Sequence, residues 1–247
     1  MLPASRLCHV DGPIALVGSG EFTPAVEAID RSLLAATGRP RPRVVVLPTA
    51  SAPDGERVFR HWAEMGREHF ARLGADPEPV LLRSRAEADN PAHVAAVDEA
   101  DLIYLSGGKP DHLVDALAGS GVAEALCRAS RRGAVVAGAS AGAMALASPQ
   151  LRLRRSPWRP VRWTAALGLV PGVAVVPHYD ALPEALVAFF ILGAPPGTLV
   201  LGIDEATALV GRLGSWQVMG RGRVTIWRGH RRVRHRGGDV VRLPAVG

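Results

Sequence analysis

The residues best suited to chemistry lie in one short stretch, Ala134 to Leu146, which reads AVVAGASAGAMAL. Its first residues predict a buried strand, and the small residues at its end predict a helix. Between them stands the pattern G-x-S-x-G at Gly138–Gly142, which in this setting lifts a serine hydroxyl above the end of a sheet. Ser140 is therefore the candidate nucleophile. The alternative is a tight glycine turn that holds an idle serine.

A nucleophilic serine also needs donors for the negative charge that forms on the attacked carbonyl oxygen. The amide of Ala141 would lie at the N-terminus of the helix after the turn, where amides point towards anions. A second glycine turn, Ser106-Gly107-Gly108, lets backbone amides approach a ligand without an intervening Cβ. We expect Gly108 and Ala141 to form a two-donor oxyanion hole, unless the glycines serve only a tight turn.

The serine needs a base, and the base needs an acid that orients it. Of the eight histidines, only His112 and His178 come just after a predicted strand. His178 is favoured because it follows the apolar run Val173–Val176 almost directly. His61 and His69 lie on one predicted helix and are expected to be exposed or half-buried.

The acid can be narrowed by an absence, since residues 125–179 contain no Asp or Glu. The carboxylate must therefore precede the serine turn or follow the histidine. Glu205, which comes just after another apolar strand, is the first candidate. Asp180, two residues after His178, is the second. The alternative is that Asp204 or Glu205 caps a turn or bonds to loop amides.

Short apolar runs alternate with helical patterns along most of the chain, which predicts a parallel sheet covered on both faces. The predicted strands are 13–17, 43–47, 80–82, 101–105, the run before Ser140, 173–176 and 199–203. The predicted helices are one from Pro24, 54–73, 91–99, 111–118, 122–131, the one after Ser140 and one from Pro183. Ligands of such folds bind beyond the carboxyl ends of the strands, where the glycine turns collect.

We therefore expect a three-layer α/β/α fold with a mostly parallel sheet, in a single domain of residues 1–247. Its core would span about 12–210, and an antiparallel β extension would span about 211–247, with a hairpin through Gly220–Gly222. Residues 148–168 are expected to form a loop or a small excursion over the sheet edge, such as a lid.

The charge and hydrophobicity of the chain limit which kinds of partner it is expected to bind. The net charge of +6 comes almost wholly from arginine, since Lys109 is the only lysine. The arginines cluster at 152–162 and 221–242, but no nucleic-acid recognition motif accompanies them, so we expect no nucleic-acid partner. The apolar run Ala185–Ala194 is too short to span a bilayer. A homodimer is left open.

The compartment and cofactors are predicted in the same way. The N-terminus lacks a signal-peptide pattern, and Cys8 and Cys127 do not make a disulfide framework, with Cys127 expected to be a small core residue. The expected location is the cytoplasm. No motif marks a nucleotide site, so we expect no cofactor and no metal.

Five segments occur in a telling order: GSGEF from Gly18, SGG from Ser106, GASAG from Gly138, PHY from Pro177 and GIDEATAL from Gly202. With them, residues 12–210 resemble the cyanophycinase and dipeptidase E family of serine peptidases. That family is similar to class I glutamine amidotransferases with serine in place of cysteine, and its flavodoxin-like fold is implied here. The resemblance implies the order Ser140, His178, Glu205 of the cyanophycinase branch. The dipeptidase E branch takes its acid shortly after the nucleophile, where this chain has none.

The chain departs from the cyanophycinase pattern around the substrate. Cyanophycinase-like sequences carry Asp-Gln before the histidine and a Gln shortly after the Gly-Gly turn. Here Val176, Pro177 and Pro110 stand at those places, which indicates a rewritten specificity pocket. Lys109 and the arginines of residues 148–168 could favour an anionic substrate group.

The sequence thus predicts a serine hydrolase that cleaves a small peptide or amide bond. The candidate substrate contacts are Gly20, Glu21, Lys109, Tyr179 and Asp180. A non-catalytic ligand-binding or interaction protein on the same fold is the alternative. An esterase of the α/β-hydrolase type is a weaker one, because its triad runs in the order Ser, Asp or Glu, His.

Overall fold

The computed structural model of the chain describes residues 10–153, 161–191, 193–212 and 214–243. The helices are α1 Glu27–Ala36, α2 Glu56–Arg72, α3 Pro91–Asp98, α4 Pro110–Leu117, α5 Gly121–Arg131, α6 Ala141–Leu146 and α7 Glu184–Ile191. The first strands are β1 Ile14–Val17, β2 Arg43–Leu47, β3 Asp76–Pro79, β4 Leu102–Leu105, β5 Val135–Ala139, β6 Ala147–Ser148, β7 Gln150–Leu153 and β8 Val161–Thr164. The later ones are β9 Val170–Pro171, β10 Val173–Val176, β11 Leu199–Ile203, β12 Thr207–Arg212, β13 Ser215–Gly220, β14 Arg223–Arg228, β15 Arg231–Arg236 and β16 Val240–Val241.

The largest sheet has eight strands in the order β16-β13-β12-β1-β5-β4-β2-β3. Five neighbouring strands of this sheet, β1, β5, β4, β2 and β3, run parallel to one another. The other three, β12, β13 and β16, join antiparallel. A second sheet has the order β15-β14-β11-β10-β6-β9, and β7 and β8 form a separate two-stranded sheet. Helices flank the large sheet, which confirms the predicted mixed α/β fold with a mostly parallel sheet.

The apolar strands are buried on both faces because helices cover both sides. Ile14 and Leu16 of β1 belong to a hydrophobic cluster with residues of α3, α4, α5 and α6. Ala15 and Val17 point the other way, into a cluster with residues of α1 and α2. Burying one large apolar side chain stabilises a fold by about 1.5–3 kcal/mol. A continuous apolar run is therefore what such a strand requires.

The second sheet differs from the expectation that β10 and β11 continue the large sheet. These strands pair in parallel with each other, and β14 then joins β11 antiparallel. Val175 and Leu201 reach the same cluster as Ile14, while Ala174 and Val200 pack on the opposite face with α7. We propose that both sheets belong to one domain, because they share this core.

The expected C-terminal extension is not an appendage. Strands β12 and β13 extend the large sheet through β1, and β14 and β15 extend the second sheet. The hairpin predicted through Gly220–Gly222 was wrong, because this turn connects β13 and β14, which lie in different sheets and pair with other strands. Apolar alternation predicts that these segments are strands, but it does not tell which neighbour each will pair with.

One strand prediction was wrong, and another local prediction is narrowed. The strand expected at 80–82 lies instead at Asp76–Pro79, where it pairs with β2 at the edge of the large sheet. Proline is tolerated on an edge, so the apolar Val80 and Leu82 were a misleading signal; they are buried core residues that follow the strand. Of the two forms expected for residues 148–168, a simple loop was wrong, since these residues contribute β7 and β8, which pair with each other; the alternative of a small excursion stays open. Residues 154–160 lie outside the described part of the chain.

The burial of one histidine also differs from expectation. His69 is buried, not exposed, because its Nε2 lies 2.8 Å from Oδ2 of the buried Asp30. Cys127, expected to be a small core residue, is half-buried on α5. Cys8 lies outside the described residues. Among the described residues, no helix combines the length and the apolar character needed to cross a bilayer.

Candidate active site

Ser140 stands on a strained turn between β5 and α6. Its backbone has φ 49° and ψ −110°, a conformation that residues other than glycine rarely adopt. Its amide donates to the carbonyl of Val17 at 3.0 Å, and its own carbonyl accepts from Met144 at 3.1 Å. The turn fits tightly, because a Cβ at Gly142 would collide with the carbonyl of Leu105. The small residues of the motif therefore hold the serine at the carboxyl end of the sheet.

His178 and Glu205 approach this serine from the second sheet. The Oγ of Ser140 lies 3.0 Å from Nε2 of His178. On the other side of the ring, Nδ1 lies 2.8 Å from Oε1 of Glu205. His178 follows β10 in the left-handed region, with φ 50° and ψ 40°, and Glu205 follows β11. Three side chains from distant segments thus form one connected chain of hydrogen-bonding groups.

Asp180 has a different place from the one considered in the sequence. Its Oδ1 accepts the backbone N–H of Glu205 at 2.9 Å. Asp204, next to Glu205, accepts the N–H of Arg223 at 2.8 Å through Oδ2. Both aspartates therefore bond to loop amides, and of the candidate acids it is Glu205 that contacts the ring of His178.

Two backbone amides near Ser140 are suited to an oxyanion. Ala141 is the first residue of α6, where an amide has no partner within the helix. Gly108 adopts φ 138° and comes so close to the carbonyl of Ala50 that a Cβ would collide with it. Within the part of the chain that the structure describes, neither amide donates a hydrogen bond to a protein acceptor.

Glu21 lies beneath the same loops and not on their surface. Its side chain is buried, and Oε1 accepts the N–H of Gly107 at 2.8 Å. Burial raises the pKa of this carboxyl, while hydrogen bonds from its own amide and from Gly107, and the nearby His178, act to lower it. This contact joins the loop after β1 to the loop after β4.

The other expected substrate contacts lie in varied surroundings. Tyr179 is buried, and its hydroxyl accepts a hydrogen bond from Nε1 of Trp227 at 2.9 Å, so the structure does not support it as a substrate contact. Lys109 is exposed, with Nζ 3.4 Å from Asp54. The carbonyl of Gly20 accepts the hydroxyl of Thr23 at 2.6 Å.

The sequence did not reveal the partners of several arginines. Arg232 and Arg234 of β15 both pair with Glu184, and Arg152 pairs with Asp111 and Asp115.

The site itself is open, because the side chains of His178 and Glu205 are 43% and 54% exposed. Among the described residues, no group of three or more His, Cys, Asp or Glu side chains is arranged to hold a metal ion.

A serine, a histidine and a carboxylate at the end of an α/β sheet are typical of hydrolytic enzymes. Comparison with known proteins agrees, since the sequence profile of peptidase family S51 matches residues 14–218. The chain belongs to peptidase family S51.

Individual relatives carry related names. The chain is 28% identical over 222 residues to a protein named cyanophycinase from Nostoc sp. (strain PCC 7120), a match that covers 86% of this chain and 72% of the relative. It is 30% identical over 169 residues to the uncharacterized peptidase YgaJ of Bacillus subtilis, which covers 68% of each. A crystal structure of a peptidase from an acI-B1 Actinobacterium superposes with a TM-score of 0.85 at 32% identity, covering 96% of this chain and 99% of that one. These matches support a peptidase.

Proposed function

We propose that the protein is a serine peptidase or amidohydrolase that cleaves a small peptide or amide bond through Ser140, His178 and Glu205. The observation that carries the proposal is the pair of contacts around the imidazole ring, 3.0 Å to the hydroxyl and 2.8 Å to the carboxylate. A hydroxyl is a weak nucleophile unless a base accepts its proton. The carboxylate fixes the tautomer of the ring and stabilises the imidazolium that forms.

The reaction follows from these positions. Ser140 Oγ attacks the carbonyl carbon of the substrate while Nε2 of His178 takes the hydroxyl proton. The carbonyl oxygen becomes an oxyanion, which accepts hydrogen bonds from the amides of Gly108 and Ala141. His178 then gives the proton to the leaving amine, and the C–N bond breaks to leave an acyl-enzyme. A water molecule, activated by the same imidazole, hydrolyses the ester and restores Ser140.

The relatives named cyanophycinase suggest peptides that contain aspartyl linkages as the first substrates to try. Val176, Pro177 and Pro110 lack the polar groups that the cyanophycinase pattern has at those places. We therefore propose that the pocket selects a different small peptide or amide. We keep the expectations of cytoplasmic location, of no nucleic-acid partner and of no cofactor as part of this proposal.

Labelling with a fluorophosphonate probe tests the chemistry without knowledge of the substrate. We expect an adduct on Ser140 that is absent from Ser140→Ala and much slower to form in His178→Ala. Ser19→Ala is a matched control, since Ser19 is another serine at the end of a central strand. A panel of aspartyl, isoaspartyl and neutral dipeptides would then find the substrate. Absence of both an adduct and cleavage would refute the hydrolase and favour a non-catalytic binding protein.

A further inference from the structure

One buried carboxyl lies within the site without belonging to the Ser140–His178–Glu205 chain. The side chain of Glu21 is only 5% exposed. Burying a carboxyl costs free energy unless it is hydrogen-bonded. Oε1 of Glu21 accepts its hydrogen bond from the N–H of Gly107, a residue 86 positions away in the chain. This hydrogen bond fixes the loop after β1 relative to the loop after β4. Its effect on the reaction depends on which groups those two loops carry.

The loop that Glu21 holds is the one that carries an oxyanion donor. The N–H of Gly107 donates to Glu21 at 2.8 Å, and the N–H of Lys109 donates to the carbonyl of Ala50 at 2.7 Å. Between these two fixed amides lies that of Gly108, which has no protein acceptor among the described residues. Pinning both neighbours limits the rotation of the peptide that carries the Gly108 N–H.

The pinned loop also lies directly against the nucleophile. A Cβ built on Gly107 would stand 3.4 Å from Cβ of Ser140 and 2.5 Å from Oε1 of Glu21. The distance of 2.5 Å to Oε1 is shorter than any real contact of a Cβ, so the Glu21 carboxyl leaves no room for a side chain at position 107. A shift of Glu21 would therefore move the loop relative to Ser140.

The charges that face Glu21 come from two sides. Burial raises the pKa of the Glu21 carboxyl and the charge of Asp30 adds to that rise, while His178 acts to lower it. Tyr104, fully buried, also senses the charge of Glu21 and Asp30. A carboxyl enclosed in this way cannot reach a substrate without leaving its pocket, so the contact expected from the sequence does not fit its position.

We propose that Glu21 is a positioning residue, which holds the Gly107 amide so that the adjacent Gly108 N–H stays directed at the oxyanion. This inference rests on the proposed serine hydrolase. It assigns to Glu21 an effect on the rate of the chemical step and not on substrate binding. Displacing one oxyanion donor therefore lowers kcat and leaves KM nearly unchanged.

The test compares Glu21→Gln, which keeps an acceptor oxygen, with Glu21→Met, which has a similar shape and no acceptor. Two readouts are needed: hydrogen exchange of the Gly107 amide, and kcat and KM for the peptide found in the panel. We expect faster exchange and about a 10- to 100-fold lower kcat in Glu21→Met, below the loss of about 10²–10³ for a deleted donor. Glu21→Gln should stay within about threefold of the wild type on both readouts, since it preserves the hydrogen bond. Glu99→Gln is the control, because it alters a glutamate that pairs with Arg43 and does not touch the loop.

A second pair of variants covers the case in which Glu21→Met does not fold. Gly107→Ala and Glu21→Ala should act through one contact, so the double variant should lose no more activity than the worse single variant. Additive losses, or Glu21→Met with unchanged exchange and kcat, would overturn the inference. If the wild type is itself inactive, the proposed function falls. Exchange at Gly107 still decides whether Glu21 holds the loop.

Discussion

Replacing Glu205 by glutamine keeps the shape of the side chain and removes only its charge. The carboxylate lies 2.8 Å from Nδ1 of His178, which puts the centres of the two charges about 4 Å apart once an imidazolium forms. At that separation the attraction is about 1 kcal/mol in water and about 4 kcal/mol in surroundings of effective dielectric 20. Since about 1.4 kcal/mol corresponds to tenfold in rate, the variant should react about 5- to 1000-fold more slowly.

Because His178 and Glu205 are partly exposed to water, we expect the rate loss of Glu205→Gln to lie in the lower part of the range of about 5- to 1000-fold. Glu205 is 54% exposed, and water screens an exposed charge pair. The assay is the second-order rate constant for labelling of Ser140 by a fluorophosphonate, with kcat on the best peptide as a second measure. Glu99→Gln is the matched control, an exposed glutamate that pairs with Arg43 away from the serine. A Glu205→Gln rate within twofold of the wild type would refute the role given to this carboxylate.

Further predictions concern the supports of the site. Asp180→Ala removes the acceptor for the amide of Glu205 and should lower kcat by about tenfold, the equivalent of one hydrogen bond, whereas Asp180→Asn should retain activity; equal losses in both would contradict this. Gly142→Ala drives a Cβ into the carbonyl of Leu105 and should lower the free energy of unfolding by about 1–3 kcal/mol in urea titration, and an unchanged midpoint would count against the packing argument. Glu21→Gln should become more stable relative to the wild type as pH rises, because the folded wild type holds its proton above the ordinary glutamate pKa and must then bury a charge. Urea titrations from pH 4 to 8 should show a gap that grows by about 1.4 kcal/mol per unit of pKa elevation, and a gap that is independent of pH would contradict the burial argument.

Some parts of the site were readable from the sequence because their signals are local. The turn around Ser140 needs small residues next to one another, so G-x-S-x-G carries most of its geometry in five positions. His178 was recognisable as the residue just beyond a strand. Glu205 came forward partly through the absence of other acids. The structure brings these three side chains together, although their chemical roles remain predictions.

Other parts depend on contacts that no local pattern records. The bond between Glu21 and Gly107 joins residues 86 positions apart, and that between Asp30 and His69 joins residues 39 apart. Helical periodicity placed His69 on an amphipathic helix with an exposed or half-buried side chain, but the buried Asp30 on a neighbouring helix gives it a buried partner. The second sheet was missed for a similar reason: apolar runs identify strands, while pairing is decided by the whole core.

Strained backbone conformations occur close to the residues of the candidate site. Among the described residues, the non-glycine residues with positive φ are Phe22, Ser140, His178 and Ala206. Each is a member of the Ser140–His178–Glu205 chain or follows Glu21 or Glu205 directly. Such conformations cost of order 1–3 kcal/mol each and persist where the surrounding structure compels them. The strain is therefore concentrated in the loops that bring hydroxyl, imidazole and carboxyl groups together. Folding stability alone does not account for that distribution, whereas a site that must hold its reacting groups in fixed positions does.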